Sequence, residues 1–259
     1  MPSRLYLLPT PLDFGTQQTT ALPVDLWLPR ETLEVAARLG HWITENAKST
    51  RAFLKRVDQI RPLSTPIQGM HIVELPRESH KKGDHAPGAA DQAAAALLAP
   101  ALQGHDVGLV SEAGMPAIAD PGSAVVRAAH QAGLAVLPLT GPVSLMLALA
   151  ASGLNGQGFA FVGYVPQSAN ERAQRLRELD AHAQRTGQTQ ILIETPYRNE
   201  ALLDALLATL NPNTRLAVAC GLGLPEQTIQ SALVRDWKSQ PARRQALALG
   251  LPAVFLFGR

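Results

Sequence analysis

Glu112 stands where the apolar run Val107–Val110 gives way to a stretch that holds Gly114, Pro116, Pro121 and Gly122. A carboxylate at such a strand tip can take a proton from an incoming hydroxyl, or it can accept hydrogen bonds from loop N–H groups, and its type and place permit both. Glu45 and Arg51, within ITENAKSTR, are an acid and a base beside a second expected strand end. They are suited to holding an acceptor or to forming a structural ion pair. His80, Lys81 and Lys82, within LPRESHKKGDH, have the chemistry to touch phosphate, against the alternative of a solvated loop. Glu194 and Arg198 flank the turn in ILIETPYRN and are read as lining a cleft. The spacing of His80 and His85 around a glycine is not that of metal ligands, and no metal is expected. Cys220 lies in RLAVAC, where an apolar setting predicts a buried strand residue rather than a nucleophile.

The elements that must position these groups alternate. Strands are expected at Leu5–Leu8, Trp42–Glu45, Ile72–Leu75, Val107–Val110 and Leu134–Leu139, with helices at Glu31–Leu39, Ser49–Val57, Ala89–Leu102, Gly122–Ala132 and Ser144–Ala151. Such alternation predicts a mostly parallel sheet with helices on both faces. Pro121 can open a helix because its missing N–H would be unpaired in the first turn, with Asp120 as the expected N-cap. Beyond the Gly153–Gly158 turn cluster come strands at Phe159–Val162, Gln190–Glu194, Leu216–Cys220, Thr228–Leu233 and Ala253–Phe257. Helices are expected at Ala169–Arg185 and Asn199–Leu210. The late strands follow one another without long helices, so the second sheet is expected to be mixed. Two α/β domains, 1–155 and 156–259, follow.

Composition sets the class. With 259 residues, 46% of them hydrophobic, the chain can bury one large core or two modest ones. The 23 basic and 21 acidic residues leave a net charge of +2, so a nucleic-acid partner would have to be held by local patches. One cysteine excludes an internal disulfide. No apolar run reaches about 18 residues, and the start lacks a long apolar region with a cleavage site, so no membrane partner and a cytoplasmic location are expected. No G-x-G-x-x-G follows a strand, and neither a P-loop nor a G-x-S-x-G elbow is present.

Four ordered blocks carry a resemblance: RLYLLPTPL (4–12), LVSEAGMPAIADPG (109–122), PLTGPVSLMLALAASGL (138–154) and ILIETPYRN (191–199). They resemble the tetrapyrrole-methylase superfamily of S-adenosylmethionine-dependent methyltransferases, and within it the small-subunit rRNA ribose-2′-O-methyltransferase branch. The chain departs from that branch in TPLDFG for TPIGN, ENAKSTR for the EDTR block, and Glu112 and Met115 within the DAGTP block. These departures resemble a shorter paralogous group that keeps fold and cofactor, with the acceptor open.

The resemblance implies a cofactor cleft between the domains. Cofactor contacts would come from Pro11, from Met115, Pro116 and Ile118, from Val143 and Ser144, and from Thr195 and Gly221 of the second domain. Glu112, Glu45 and Arg51 would be the catalytic group, with His80, Lys81, Lys82, Glu194 and Arg198 toward the acceptor. It also implies a homodimer, for which Leu26, Trp27 and Leu28 offer an apolar contact surface. The expected activity is methyl transfer to rRNA. Methylation of a small molecule or protein, and an inactive cofactor-binding interaction module, are the alternatives.

Overall fold

The computed structural model describes residues 3–13, 22–76 and 89–259. The chain divides into two compact units, Met1–Pro142 and Val143–Arg259.

The first unit is built on a sheet of β1 (Arg4–Leu8), β2 (His41–Thr44), β3 (His71–Glu74), β4 (Val107–Val110) and β5 (Ala135–Pro138). Their order is β3-β2-β4-β1-β5 and every pair is parallel. Parallel strands require helical crossovers, which cover both faces. The helices are α1 (Arg30–Arg38), α2 (Ala47–Asp58), α3 (Ala89–Leu97), α4 (Ala99–Leu102) and α5 (Ser123–Gln131). Alternation along the strands sorts the core into two layers. Tyr6, Leu8, Trp42 and Val110 face Leu33, Ala36, Phe53, Leu54 and Val57 of α1 and α2. Leu5, Ile43, Val107 and Leu109 face Leu98, Ala101, Val125 and Ala128 on the other side. The centre of the sheet, β4, is buried at all four positions.

Local chemistry sets the helix ends. Asn46 caps α2 by accepting from the N–H groups of Lys48 at 2.9 Å and Ser49 at 3.4 Å, and Lys55 and Arg56 in its last turn complement the dipole. The helix expected over Ala89–Leu102 is interrupted at Leu98, just before Pro100. The expected cap at Asp120 is corrected, because Gly122 occupies the N-cap of α5 with φ 137°. That backbone conformation suits glycine and leaves Asp120 in the loop.

In the second unit α6 (Ser144–Ser152) is followed by β6 (Phe159–Gly163), α7 (Ala169–Thr186), β7 (Thr189–Glu194), α8 (Asn199–Thr209), β8 (Arg215–Cys220) and β9 (Thr228–Leu233). Then come α9 (Val234–Ser239), α10 (Ala242–Gln245) and β10 (Ala253–Gly258). The sheet order is β6-β7-β10-β8-β9, with β6 and β7 parallel and the remaining pairs antiparallel. Its core joins Leu176 and Leu179 of α7, Leu202, Leu203 and Leu206 of α8, Trp237, and Phe255 and Phe257 of β10. The sequence places Ser144–Ala151 with the first domain, whereas α6 belongs to the second unit and packs against β8, β9 and β10. Its small buried face, with Leu145, Ala148 and Leu149, lets it lie close to the sheet, and Ser231 Oγ donates to the Ser152 carbonyl at 2.6 Å.

Gly108 tests the packing of the first core. A Cβ there would sit 2.8 Å from the Trp42 ring and 3.0 Å from Leu39 Cδ1. Gly108→Ala is expected to lower the unfolding free energy by about 1–3 kcal/mol, as overpacking does, in urea denaturation of the full chain. An unchanged midpoint would mean that the indole gives way freely.

Candidate functional site

The C-terminal ends of the parallel strands in the first unit lead into three loops, the edge at which open α/β sheets bind ligands. The loop after β1 and the loop after β4 are fastened by a two-way bridge, Thr10 N–H to the Gly114 carbonyl and Gly114 N–H to the Thr10 carbonyl, each 3.0 Å. Thr10 Oγ1 also donates to the Ser111 carbonyl at 3.3 Å. The loop after β5 joins them. Thr32 Oγ1 of α1 donates to the Thr140 carbonyl at 2.8 Å, and at Gly141 a Cβ would lie 2.2 Å from Pro9 Cγ, so only glycine fits there.

Within this frame Ala117 and Ala119 both adopt φ 64°, in the left-handed region that costs a residue with a Cβ about 1–2 kcal/mol. Strain of this kind persists where surrounding structure fixes it and gathers at binding sites. Its local effect is to turn Ile118 outward, 43% exposed, while Pro116 stays buried. Met115, Pro116, Ala117 and Ile118 wall an open cavity of about 470 Å³ that is also lined by Leu7 and Pro138 and by Ser123, Val126 and Arg127 of α5. The residues expected on this loop therefore line one cavity. Pro11 is buried in the neighbouring loop after β1.

Carboxylates collect at the same edge. Glu45, at the end of β2, accepts a hydrogen bond from the Glu112 N–H through Oε2 at 3.0 Å. Glu74, at the end of β3, accepts from the Ala47 N–H at 2.8 Å. Asp120 is a further member, which its place before Pro121 disguises as a helix cap. Burial first, then the charge of Glu45 and to a smaller degree that of Glu112, push its carboxyl up to about 7 against a hydrogen bond with Ser111 that opposes them. The ADPG sequence was the available signal, since an acid that is not the cap must find its partners in the loop.

The expected catalytic group is only partly assembled. Glu45 and Glu112 meet, and the 3.0 Å contact runs from the main chain of Glu112, whose side chain is exposed. Arg51 is exposed on α2. The expected His80, Lys81 and Lys82 contacts lie outside the described residues. Another cation is engaged here: Arg56 pairs with the buried Asp13 at 2.8 Å and donates to the Leu22 carbonyl at 2.8 Å. The apolar surface expected at Leu26–Leu28 is corrected, because Leu28 is 2% exposed within the α1 and α2 core and Leu26 alone of the three is strongly exposed, at 69%.

In the second unit Glu194 and Arg198 form an ion pair at 2.8 Å, and Glu194 Oε1 also accepts from the Thr195 N–H at 2.8 Å. The pair thus fixes the turn that presents Thr195, while the buried Asn199 donates to the Leu249 and Leu251 carbonyls, each at 2.9 Å. Gly221, φ 59°, packs against Leu251 and donates to the Pro252 carbonyl at 2.8 Å. Val143 is the N-cap of α6 and Ser144 its first residue. Cys220 is fully buried on β8, and burial pushes its thiol up to about 11, against a hydrogen bond with Thr228, which makes it a packing residue.

Asp120 has a signature in stability. Its folded-state value, about 7, lies above the ordinary 3.8, so the folded protein holds a proton that the unfolded chain has released between these values. The stability tied to this group is complete below pH ~4 and is lost as pH rises through about 7. Asp120→Asn is expected to flatten that decline in denaturation midpoints measured from pH 4.5 to 8, leaving the variant more stable than the parent chain at pH 8. Parallel pH profiles for the two proteins would refute the assignment.

The Tetrapyrrole (Corrin/Porphyrin) Methylases family matches residues 11–237. Ribosomal RNA small subunit methyltransferase I of Vibrio cholerae is 30% identical over 227 residues, 87% of this chain and 67% of that protein. The protein of the same name from Halalkalibacterium halodurans is 40% identical over 114 residues, 44% of this chain and 38% of its own length. That from Escherichia coli O157:H7 is 32% identical over 157 residues, 60% and 54%. The matched stretch thus spans between about a third and two thirds of these relatives. Among solved structures, the methyltransferase CobJ aligns with a TM-score of 0.55 at 17% identity, over 99% of this chain and 94% of that one. Uroporphyrin-III C-methyltransferase from Thermus thermophilus, complexed with S-adenosylhomocysteine, gives 0.53 at 17%, over 99% and 98%. With its family match running through both units, the chain belongs to the tetrapyrrole (corrin/porphyrin) methylases.

Proposed function

We propose that this protein is an S-adenosylmethionine-dependent methyltransferase whose acceptor is a ribose 2′-hydroxyl of ribosomal RNA. The observation that carries the reading is the cavity beside the strained Met115–Ile118 segment, at the C-terminal edge of a parallel sheet, in a chain of a methylase family. The relatives' name, ribosomal RNA small subunit methyltransferase, supports the acceptor.

When bound, S-adenosylmethionine supplies an electrophilic methyl group on a sulfonium. The residues that would hold it are Pro11, Met115, Pro116 and Ile118 in the first unit and, by resemblance to the family, Val143, Ser144, Thr195 and Gly221 in the second. Main-chain groups on Gly/Pro loops suit such a ligand because no bulky side chain keeps the backbone away. Methyl transfer to a hydroxyl needs alignment and removal of one proton. That one proton passes to a single carboxylate of this edge, Glu112 or Asp120 in its ionised form, while Glu45 holds the Glu112 main chain. Arg51 remains the nearby cation for a phosphate of the acceptor, and His80, Lys81, Lys82 and Arg198 are further acceptor contacts in this reading, with Glu194 holding Arg198 in place.

A homodimer and a cytoplasmic location complete the proposal; among the described residues no helix is long and apolar enough to cross a membrane. The altered ENAKSTR and Met115 positions favour a second reading, in which the same cofactor serves a small or protein acceptor.

Tritium transfer from labelled cofactor to small ribosomal subunits, prepared from cells lacking the protein, tests the acceptor. Label in the rRNA, lost in Ile118→Trp, is the expected result. Because Ile118 is exposed at the cavity wall, the indole should weaken S-adenosylhomocysteine binding at least tenfold in calorimetry while the unfolding midpoint stays near that of the parent. Label in another fraction would move the acceptor to the second reading. Unchanged affinity in Ile118→Trp would place the cofactor elsewhere.

A further inference from the structure

A second cavity lies on the α1 face of the first unit, beside the edge strand β5. It has a volume of about 430 Å³ and is lined by Arg4, Tyr6, Glu31, Glu34, Val35, Arg38 and Leu137–Leu139. Nothing in the proposed methyl transfer uses it. The two ends differ in chemistry. Arg4 and Tyr6 of β1 and Arg38 in the last turn of α1 form one end, and Glu31 and Glu34 from the first half of α1 form the other. Val35, Leu137 and Leu139 give it an apolar floor.

The basic end has an incomplete hydrogen-bond arrangement. Tyr6 is 3% exposed, and its hydroxyl oxygen accepts from Arg4 Nη1 at 3.1 Å and from Arg38 Nη2. Guanidinium groups only donate, so both phenol lone pairs are engaged and the phenol proton has to be given to a third group. Among the described residues no acceptor takes it. The Arg38 guanidinium lies 5.1 Å from the Tyr6 ring centroid, and its contact with Asp106, at 3.8 Å between partly exposed side chains, is loose enough to yield to a better acceptor. A buried O–H donor and a neighbouring guanidinium, both facing one cavity, complement an oxyanion.

We propose that this groove binds a phosphomonoester, with the phosphate against Tyr6 and Arg38 and the attached nucleoside-sized body over Val35, Leu137 and Leu139. A phosphate offers more acceptor oxygens than a carboxylate to donors arriving from several side chains. At the other end Glu34 is already paired with Arg30 at 2.6 Å and Arg61 at 3.8 Å, and of the lining residues the cations all stand at the Tyr6 end, which favours one phosphate and so a terminal or free monoester over the interior of a strand. Cavities of this size hold small ligands. The proposal stands on the groove and not on the methyl acceptor, and it is read by binding rather than by methyl transfer.

The test is NMR on protein labelled in its tyrosine rings, titrated separately with inorganic phosphate, a nucleoside monophosphate, and short RNAs carrying a 5′-phosphate or a 5′-hydroxyl. A saturable shift of the Tyr6 signal is expected with the monophosphate, weaker with inorganic phosphate and absent with the 5′-hydroxyl RNA. Tyr6→Phe removes the donor and keeps the ring, and Arg38→Gln removes an exposed charge. Each should weaken binding by about tenfold, read for Tyr6→Phe by calorimetry. Tighter binding of the 5′-phosphate RNA than of the monophosphate would identify an RNA end as the source, and equal or weaker binding would identify a free nucleotide. No saturable shift with any phosphate up to about 10 mM, a range that covers millimolar affinity, would overturn the proposal. Unaltered affinity in both variants would do the same. Arg38→Gln decides the matter if Tyr6→Phe does not fold.

Discussion

The site depends on the pair of main-chain hydrogen bonds between Thr10 and Gly114. Parallel strands deliver loops to one edge of a sheet and leave each loop free to choose its own path. This bridge removes that freedom by making the loops after β1 and β4 a small two-stranded unit of their own. Gly141 then lies against Pro9, and Thr32 holds Thr140, so the loop after β5 is set by the first two. With its anchor points fixed, the Met115–Ala119 segment can hold two alanines in a left-handed conformation that an isolated loop would abandon. The cavity wall thus combines strained backbone with fixed anchor points over a few residues.

The electrostatics of the edge follow from the same geometry. Strand tips that converge on one edge bring Glu45 and Glu112 together with Asp120, and the hydrophobic layers beneath deny the last of these full hydration. Three carboxyl groups in one place are unfavourable when all are charged, and the molecule relieves this by holding a proton on Asp120. A group poised near neutrality is poor for stability and useful for moving protons, which is the compromise expected at an active site rather than in a core.

Much of this was readable from residue order. The alternation of short apolar runs with amphipathic segments specified the strands closely, because a parallel strand such as VGLV must be apolar on both faces and an Ala-rich or Leu-spaced stretch can only be a helix. The RLAVAC run likewise announced a buried Cys220. What escaped were features set by tertiary contact. Trp27 and Leu28 read as a sticky surface, yet the turn after Val24 directs Leu28 inward, and no periodicity in so short a segment reveals it. The short helices α9 and α10 are mostly polar and carry too few apolar positions to show a period, although Val234 and Trp237 bury the inner side of α9. Asp120 looked like a cap because Pro121 is a good first helical residue; only the actual path, with Gly122 at the cap, frees the acid for the loop. Family resemblance located the loops, but geometry was needed to separate the carboxylates that meet from Arg51, which stands exposed on its helix.

The position of β10 has a bearing on how the protein is made. This strand lies between β7 and β8 and is hydrogen-bonded to both, yet it follows every other strand in the sequence. On the ribosome the first unit has all of its strands available once residue 138 has emerged. The second unit must instead carry β7 and β8 with open inner edges until Ala253–Gly258 appears, leaving apolar strand edges exposed to neighbouring nascent chains. The late insertion closes long loops at once, so formation of this sheet is governed by non-local contacts and should be slower than local helix formation in α7 and α8. The order of synthesis thus gives the two units different exposure to misassembly, although their sheets have the same number of strands.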